Sequence, residues 1–170
     1  MKPTIPFTAL ILLATTLSCT THTAPDPYDS PAPAVHTINA DFSRIVIIRL
    51  KYETDLLAGI QHAVDKEKIR NAVILSGIGS LTQYNVHTVA HKNFPVEGLS
   101  MRDDTAEDLL AVNGYVIDGR VHCHITFTDE KRALGGHLDP GTNAYTFAII
   151  ALGVLDEPVD LRRIDDYTWH

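Results

Sequence analysis

Residues 42–81 read FSRIVIIRLKYETDLLAGIQHAVDKEKIRNAVILSGIGSL, and their patterning decides the fold. Phe42 to Leu50 is rich in β-branched residues and predicts a strand. Thr54-Asp55 then opens a helix, with Thr54 the expected N-cap. Leu56, Leu57, Ile60, Ala63, Val64 and Ile69 recur on one helical face, while Gln61, Asp65, Lys66 and Lys68 cover the other. Ala72 to Leu75 is a short apolar run bounded by Ser76-Gly77, the pattern of a buried strand. Gly77-Ile78-Gly79-Ser80 lacks both the third glycine of a dinucleotide fingerprint and the lysine of a phosphate loop. It reads as a tight strand-to-strand turn. The chain thus begins its folded part as strand, helix, strand.

Downstream the pattern changes to strands in hairpin order. Leu81 to Ala90 is strand-like, and residues 91–105 read as an irregular polar loop. Leu109 to Ile117 is a strand with Asn113-Gly114 as a bulge or turn. Asp118-Gly119 is a two-residue hairpin signal leading into the strand Val121 to Phe127. Asp129-Glu130-Lys131 and Asp139-Pro140-Gly141 are further turns, and Gly135-Gly136 precedes His137. Ala144 to Leu155 is apolar throughout; Tyr145, Thr146, Phe147, Ile149 and Ile150 favour strand over helix. One or two helices and six or seven strands give an α+β domain, a mostly antiparallel β-sheet flanked by the helices.

The first 38 residues differ in kind. Lys2 precedes an apolar run from Ile5 to Leu17, too short for a membrane-spanning helix and of signal-peptide length. The run ends Thr16-Leu17-Ser18-Cys19, which resembles a bacterial lipoprotein processing site, with Thr16 where leucine is commoner. The resemblance implies removal of residues 1–18 and acylation of Cys19, with ordinary secretion as the alternative. Thr20, rather than Asp, follows the cysteine, so by likeness to lipoprotein sorting the expected destination is the outer membrane, facing the periplasm. Residues 19–38 are rich in Pro, Thr, Ser and Ala and read as a tether, leaving 39–170 as the domain. With Cys19 acylated, Cys123 has no partner for an intrachain disulfide and is expected to be a small buried hydrophobe. The 170 residues carry 14 Lys+Arg against 21 Asp+Glu, a net charge of -7. That balance argues against binding nucleic-acid phosphates.

The chemistry concentrates in His122-Cys123-His124 and in His137, 13 positions after His124. On a strand His122 and His124 share a face, about 6.5–7 Å apart along the chain, and Cys123 points the opposite way. The turn at 129–131 brings the next strand back, so His137 reaches the same place. The glycines before it allow close backbone approach. Three imidazoles with an open position suit Zn²⁺, and also Cu²⁺, Ni²⁺ or Fe²⁺. The plainer reading is that one or two of these histidines only hydrogen-bond on a half-buried strand. His87 and His91 read as a solvated or core-edge pair, His62 as a boundary residue, and His22, His36 and His170 as tether and terminus. Glu107 and Asp108 are weak candidates for a group behind the metal or a general base; a charged strand entrance is the plainer account. Ser80 lies in no nucleophile elbow.

Arg49-Leu50 with Asp55-Leu56-Leu57, the run Ala72 to Leu81, Gly119 to His124, and Gly135-Gly136-His137-Leu138 together resemble the plants-and-prokaryotes conserved domain, which in plants accompanies AT-hooks. The resemblance runs from about Ser43 to Tyr167. It implies a largely antiparallel α+β fold and a homotrimer, and it implies a metal site, usually zinc, on His122, His124 and His137. No Arg-Gly-Arg-Pro AT-hook is present, so no nucleic-acid role is expected. Three functions compete. The first is a lipid-anchored or secreted, trimeric, metal-binding domain whose small-molecule ligand the residues do not name, touching the membrane only through its anchor. The second is a zinc-dependent hydrolase or lyase with Glu107 or Asp108 as base. The third is a metal-free structural or interaction module.

Overall fold

The structure is a computed structural model, and it describes residues 31–169. The expected signal peptide, Cys19 and the first part of the tether lie outside the described residues. Strand β1 spans Phe42–Lys51, helix α1 Leu56–Lys66, β2 Ala72–Val89, β3 Gly98–Asp103, β4 Glu107–Ile117, β5 Arg120–Thr128, β6 Ala133–Leu138 and β7 Asn143–Leu155. The domain is therefore α+β, a mostly antiparallel sheet with one helix among the described residues. None of the described helices is long and apolar enough to cross a membrane.

Helix α1 forms where the apolar spacing places it, burying Leu56, Ile60 and Val64. Each such side chain contributes roughly 1.5–3 kcal/mol by leaving water. The cap is Asp55, not Thr54: its Oδ1 accepts from the Ala58 amide at 2.8 Å. Its Oδ2 accepts from the Gly141 amide at 2.6 Å, which ties the helix start to the β6–β7 turn.

Three sequence expectations fail in the region after the helix. Gly77-Ile78-Gly79-Ser80 is no turn; β2 runs through it as one strand of 18 residues. Its glycines serve close approach instead. A Cβ on Gly77 would stand 2.5 Å from the Val112 side chain, and one on Gly79 2.4 Å from the Phe147 carbonyl oxygen. Register slips against β7 around Ile74–Ser76 and Gly79–Gln83 bend the strand. Residues 91–105 are not wholly loop, because β3 pairs with the far end of β2. Only Met101 of β3 is even partly buried, so it shows no apolar alternation to read. The expected irregularity at Asn113-Gly114 lies instead between Leu109 and Ala111. The Asp118-Gly119 turn is as expected, both residues having positive φ (48° and 82°).

All pairings are antiparallel, in the order β1-β7-β2-β4-β5-β6. The far end of β2 also meets β6, through Val86↔Leu138 and His87↔His137. The path β2-β4-β5-β6 therefore closes on itself. Ile125, Phe127, Val112, Val86 and Leu138 join the α1 residues in one core. Asn71 holds the C-terminal tail by donating to the Val159 carbonyl at 2.7 Å, and Leu161 of the tail is buried.

Candidate metal centre

Antiparallel pairing places directly opposed side chains on one face. His124 opposes His137, and His137 opposes His87, so β5, β6 and β2 contribute one lateral row of imidazoles. His122, two residues before His124, shares their face. The expected meeting of His122, His124 and His137 is thus seen in outline: ring centres lie 4.8 Å apart for His122–His137, 5.4 Å for His124–His137 and 5.6 Å for His122–His124. Cys123 points into the core at 1% exposure, on the opposite face as expected.

His87 is the residue the sequence reading passed over. Its ring stacks on His137 with centres 4.4 Å apart. Its supposed companion His91 pairs instead with Glu97 in the following loop, at 3.2 Å. Two carboxylates were missed as well. Asp139 holds His87 Nδ1 at 2.8 and 3.0 Å, and Asp165 of the tail holds His122 Nδ1 at 2.6 Å. Histidines that bind metals commonly have such a carboxylate partner on one ring nitrogen.

The Nδ1 of His137 is buried and makes no hydrogen bond; the Asp139 carboxylate lies 3.5 Å away, outside hydrogen-bonding geometry. Leaving such an atom unsatisfied costs about 1–3 kcal/mol. His137 also resists protonation: desolvation and the neighbouring His87 and His122 push its pKa down, against a smaller upward pull from Asp139. Desolvation, His122 and His87 lower His124 in the same way. A buried, neutral, unpaired imidazole nitrogen among other imidazoles and carboxylates is a donor set that fits a divalent transition metal. Among the described residues, His87, His137 and Asp139 bring one ligand atom each within 4.8 Å of one another. A cleft of about 590 Å³ opens beside them, lined by Leu57, Arg120, His122, His137, Asp139 and Asp165 among others.

Glu107 and Asp108 are not brought to this cluster. Glu107 is buried and accepts from the Thr105 hydroxyl at 3.1 Å. Asp108 opposes Thr128, at the other end of β5 from His122. Both line a separate depression with Ser80 and Tyr145. His62, expected at the boundary of the apolar stripe, is instead exposed on α1.

The family model of the Plants and Prokaryotes Conserved (PCC) domain matches residues 38–156. Solved structures agree with the fold. A plant- and prokaryote-conserved protein of Pyrococcus horikoshii superposes with TM-score 0.62 at 24% identity, over 74% of this chain and 89% of that one. A metal-containing protein of Archaeoglobus fulgidus gives TM-score 0.62 at 18% identity, over 72% and 86%. A hypothetical protein of Salmonella gives 0.61 at 21% identity, over 71% and 83%. Among curated proteins, the bifunctional protein GlmU of two Synechococcus strains is 28% identical over 117 residues, 64% of this chain. The match covers only 16% and 17% of those proteins' own length.

Proposed function

Because the chain belongs to the Plants and Prokaryotes Conserved domain family, we propose that it is an exported, lipid-anchored homotrimer that binds a divalent transition metal, zinc foremost, at the histidine cleft. The observation that carries the metal is the buried, unpaired Nδ1 of His137, set among three other histidines. The family likeness adds His122 and His124 of β5, whose rings lie 4.8 and 5.4 Å from that of His137, as candidate ligands. A structural neighbour described as metal-containing supports the reading. The cleft leaves the centre open on one side, as a site that exchanges a small ligand requires.

The anchor rests on the lipoprotein-like residues ending at Cys19, and the periplasmic face of the outer membrane is the proposed location. The trimer rests on an exposed apolar sheet face that includes Ile45, Ile47 and Ile78. A zinc-dependent hydrolase or lyase is the second reading, favoured by the open cleft. Its base would have to come from the cleft's own carboxylates, because Glu107 and Asp108 stand elsewhere.

The test is metal content of the full chain, purified without a histidine tag, beside His122→Ala and His137→Ala. The expected result is about one ion per chain in the parent and loss in His137→Ala, while His122→Ala reads whether β5 supplies a ligand. Trace metal, equal in all three, would favour a metal-free interaction module.

A further inference from the structure

We propose that His87 and Asp139 hold the ion together with His137, and that the ion is a clamp across the β2–β6 seam. The proposal rests on the metal-binding reading above and changes both the ligand set and the consequence of binding.

The seam has the shortest backbone ladder in the closed path. β6 pairs with β5 through five opposed residues, from His124↔His137 to Thr128↔Ala133, but with β2 through only Val86↔Leu138 and His87↔His137. Just past the ladder the Asp139 amide donates to the Asn85 carbonyl at 3.0 Å, and the side chains of Asn85, His87 and Thr142 add hydrogen bonds between β2 and the turn after β6. Short ladders open readily, because few hydrogen bonds must break together. Yet this joint closes the β2-β4-β5-β6 path.

The donors stand across that joint. His87 is on β2, His137 on β6, and Asp139 directly follows β6. One oxygen of Asp139, Oδ1, lies 3.0 Å from His87 Nδ1 and 3.5 Å from His137 Nδ1. Two ligands of a tetrahedral zinc ion, each ~2.0–2.1 Å from the metal, stand about 3.3 Å from one another. The observed separations bracket that figure. An ion here would satisfy the unpaired His137 nitrogen and would take His87 through Nδ1 as the tautomer that carries its proton on Nε2. Two imidazoles and one carboxylate make a common zinc donor set, and the fourth position would face the cleft that His137 and Asp139 line. His122 and His124 are then neighbours of the ion rather than its primary ligands.

The test uses the full chain and Zn²⁺ alone. Affinity is measured by competition with a chromophoric chelator, and seam opening by hydrogen exchange at the Asp139 amide. In the parent, zinc should slow that exchange at least ~10-fold. His87→Ala and Asp139→Asn should each weaken zinc binding at least ~10–100-fold and abolish the slowing. Asp139→Asn keeps the side chain's size and hydrogen-bonding capacity, so it serves where His87→Ala folds poorly. Zinc bound as tightly in both variants as in the parent, but lost in His122→Ala, would overturn the clamp and leave the metal-binding reading standing. A parent chain that binds no zinc would overturn both.

Discussion

Cys123 lies between two histidines in sequence and on the other side of the strand in space. Burial pushes its thiol up to about 12. The thiolate is the reactive form, so in a Cys19→Ser variant, whose remaining thiol is Cys123, a disulfide reagent at pH 8 should label the unfolded chain and spare the folded one. Rapid labelling of the native protein would contradict the placement. His124 and His137 make a second residue-scale prediction. In the metal-free protein both should titrate below the usual histidine value of 6.5, which resonance shifts in an NMR pH series would show. Between their folded values and 6.5 the unfolded chain binds more protons than the folded one. Folding stability should therefore fall as pH drops below about 6.5, and these two groups should contribute no pH dependence above it. The shared face of His122 and His124 was legible because strand alternation is a local rule. His87 was not, since its place is set by pairing with a strand 50 residues later. Asp165 was not either, because nothing local says where an irregular tail returns.

At the scale of elements, the helix, the Asp118-Gly119 hairpin and the last strand were readable because each is set by spacing or turn chemistry within a few residues. The unity of β2 was not. Glycine marks both turns and close approaches, and only the neighbour at a few ångströms tells which. The same distinction gives a paired prediction. A Cβ on Gly119 meets nothing within 4 Å, so Gly119→Ala costs only the strain of φ +82°, about 1–2 kcal/mol. A Cβ on Gly136 would stand 2.6 Å from the His87 carbonyl oxygen, a backbone atom that can yield only if β6 leaves β2. Urea unfolding should show both variants destabilised, while zinc binding survives Gly119→Ala and is lost in Gly136→Ala. Asp55→Ala removes the α1 cap and the bond to Gly141 together. A cap is worth ~1 kcal/mol and a hydrogen bond to a charged group about 1.5–3, so a loss of ~2 kcal/mol or more is expected in the same assay.

At the scale of the molecule, the sheet has two unlike faces. One packs on α1 and the core. On the other, β1, β7 and β2 present adjacent rows: Ile47, Ala151 and Ser76, then Arg49, Ile149 and Ile78. Ile47 is 63% and Ile78 56% exposed. Monomeric proteins seldom leave broad apolar patches open, and such a patch usually meets a partner. The proposed homotrimer would cover it. The register also carries this face toward the metal centre, because exposed Tyr115 on β4 opposes His122 on β5. Assembly and metal binding are nonetheless expected to separate, since His87, His137 and Asp139 all come from one chain. Ile78→Asp puts a charge in the middle of the patch without touching the core or the histidines. It should convert a trimer to a monomer in sedimentation equilibrium and leave the zinc affinity within about threefold of the parent, since sites without shared partners act nearly independently. A monomeric parent would remove the trimer. A monomeric variant that no longer holds zinc would show instead that a neighbouring copy completes the centre.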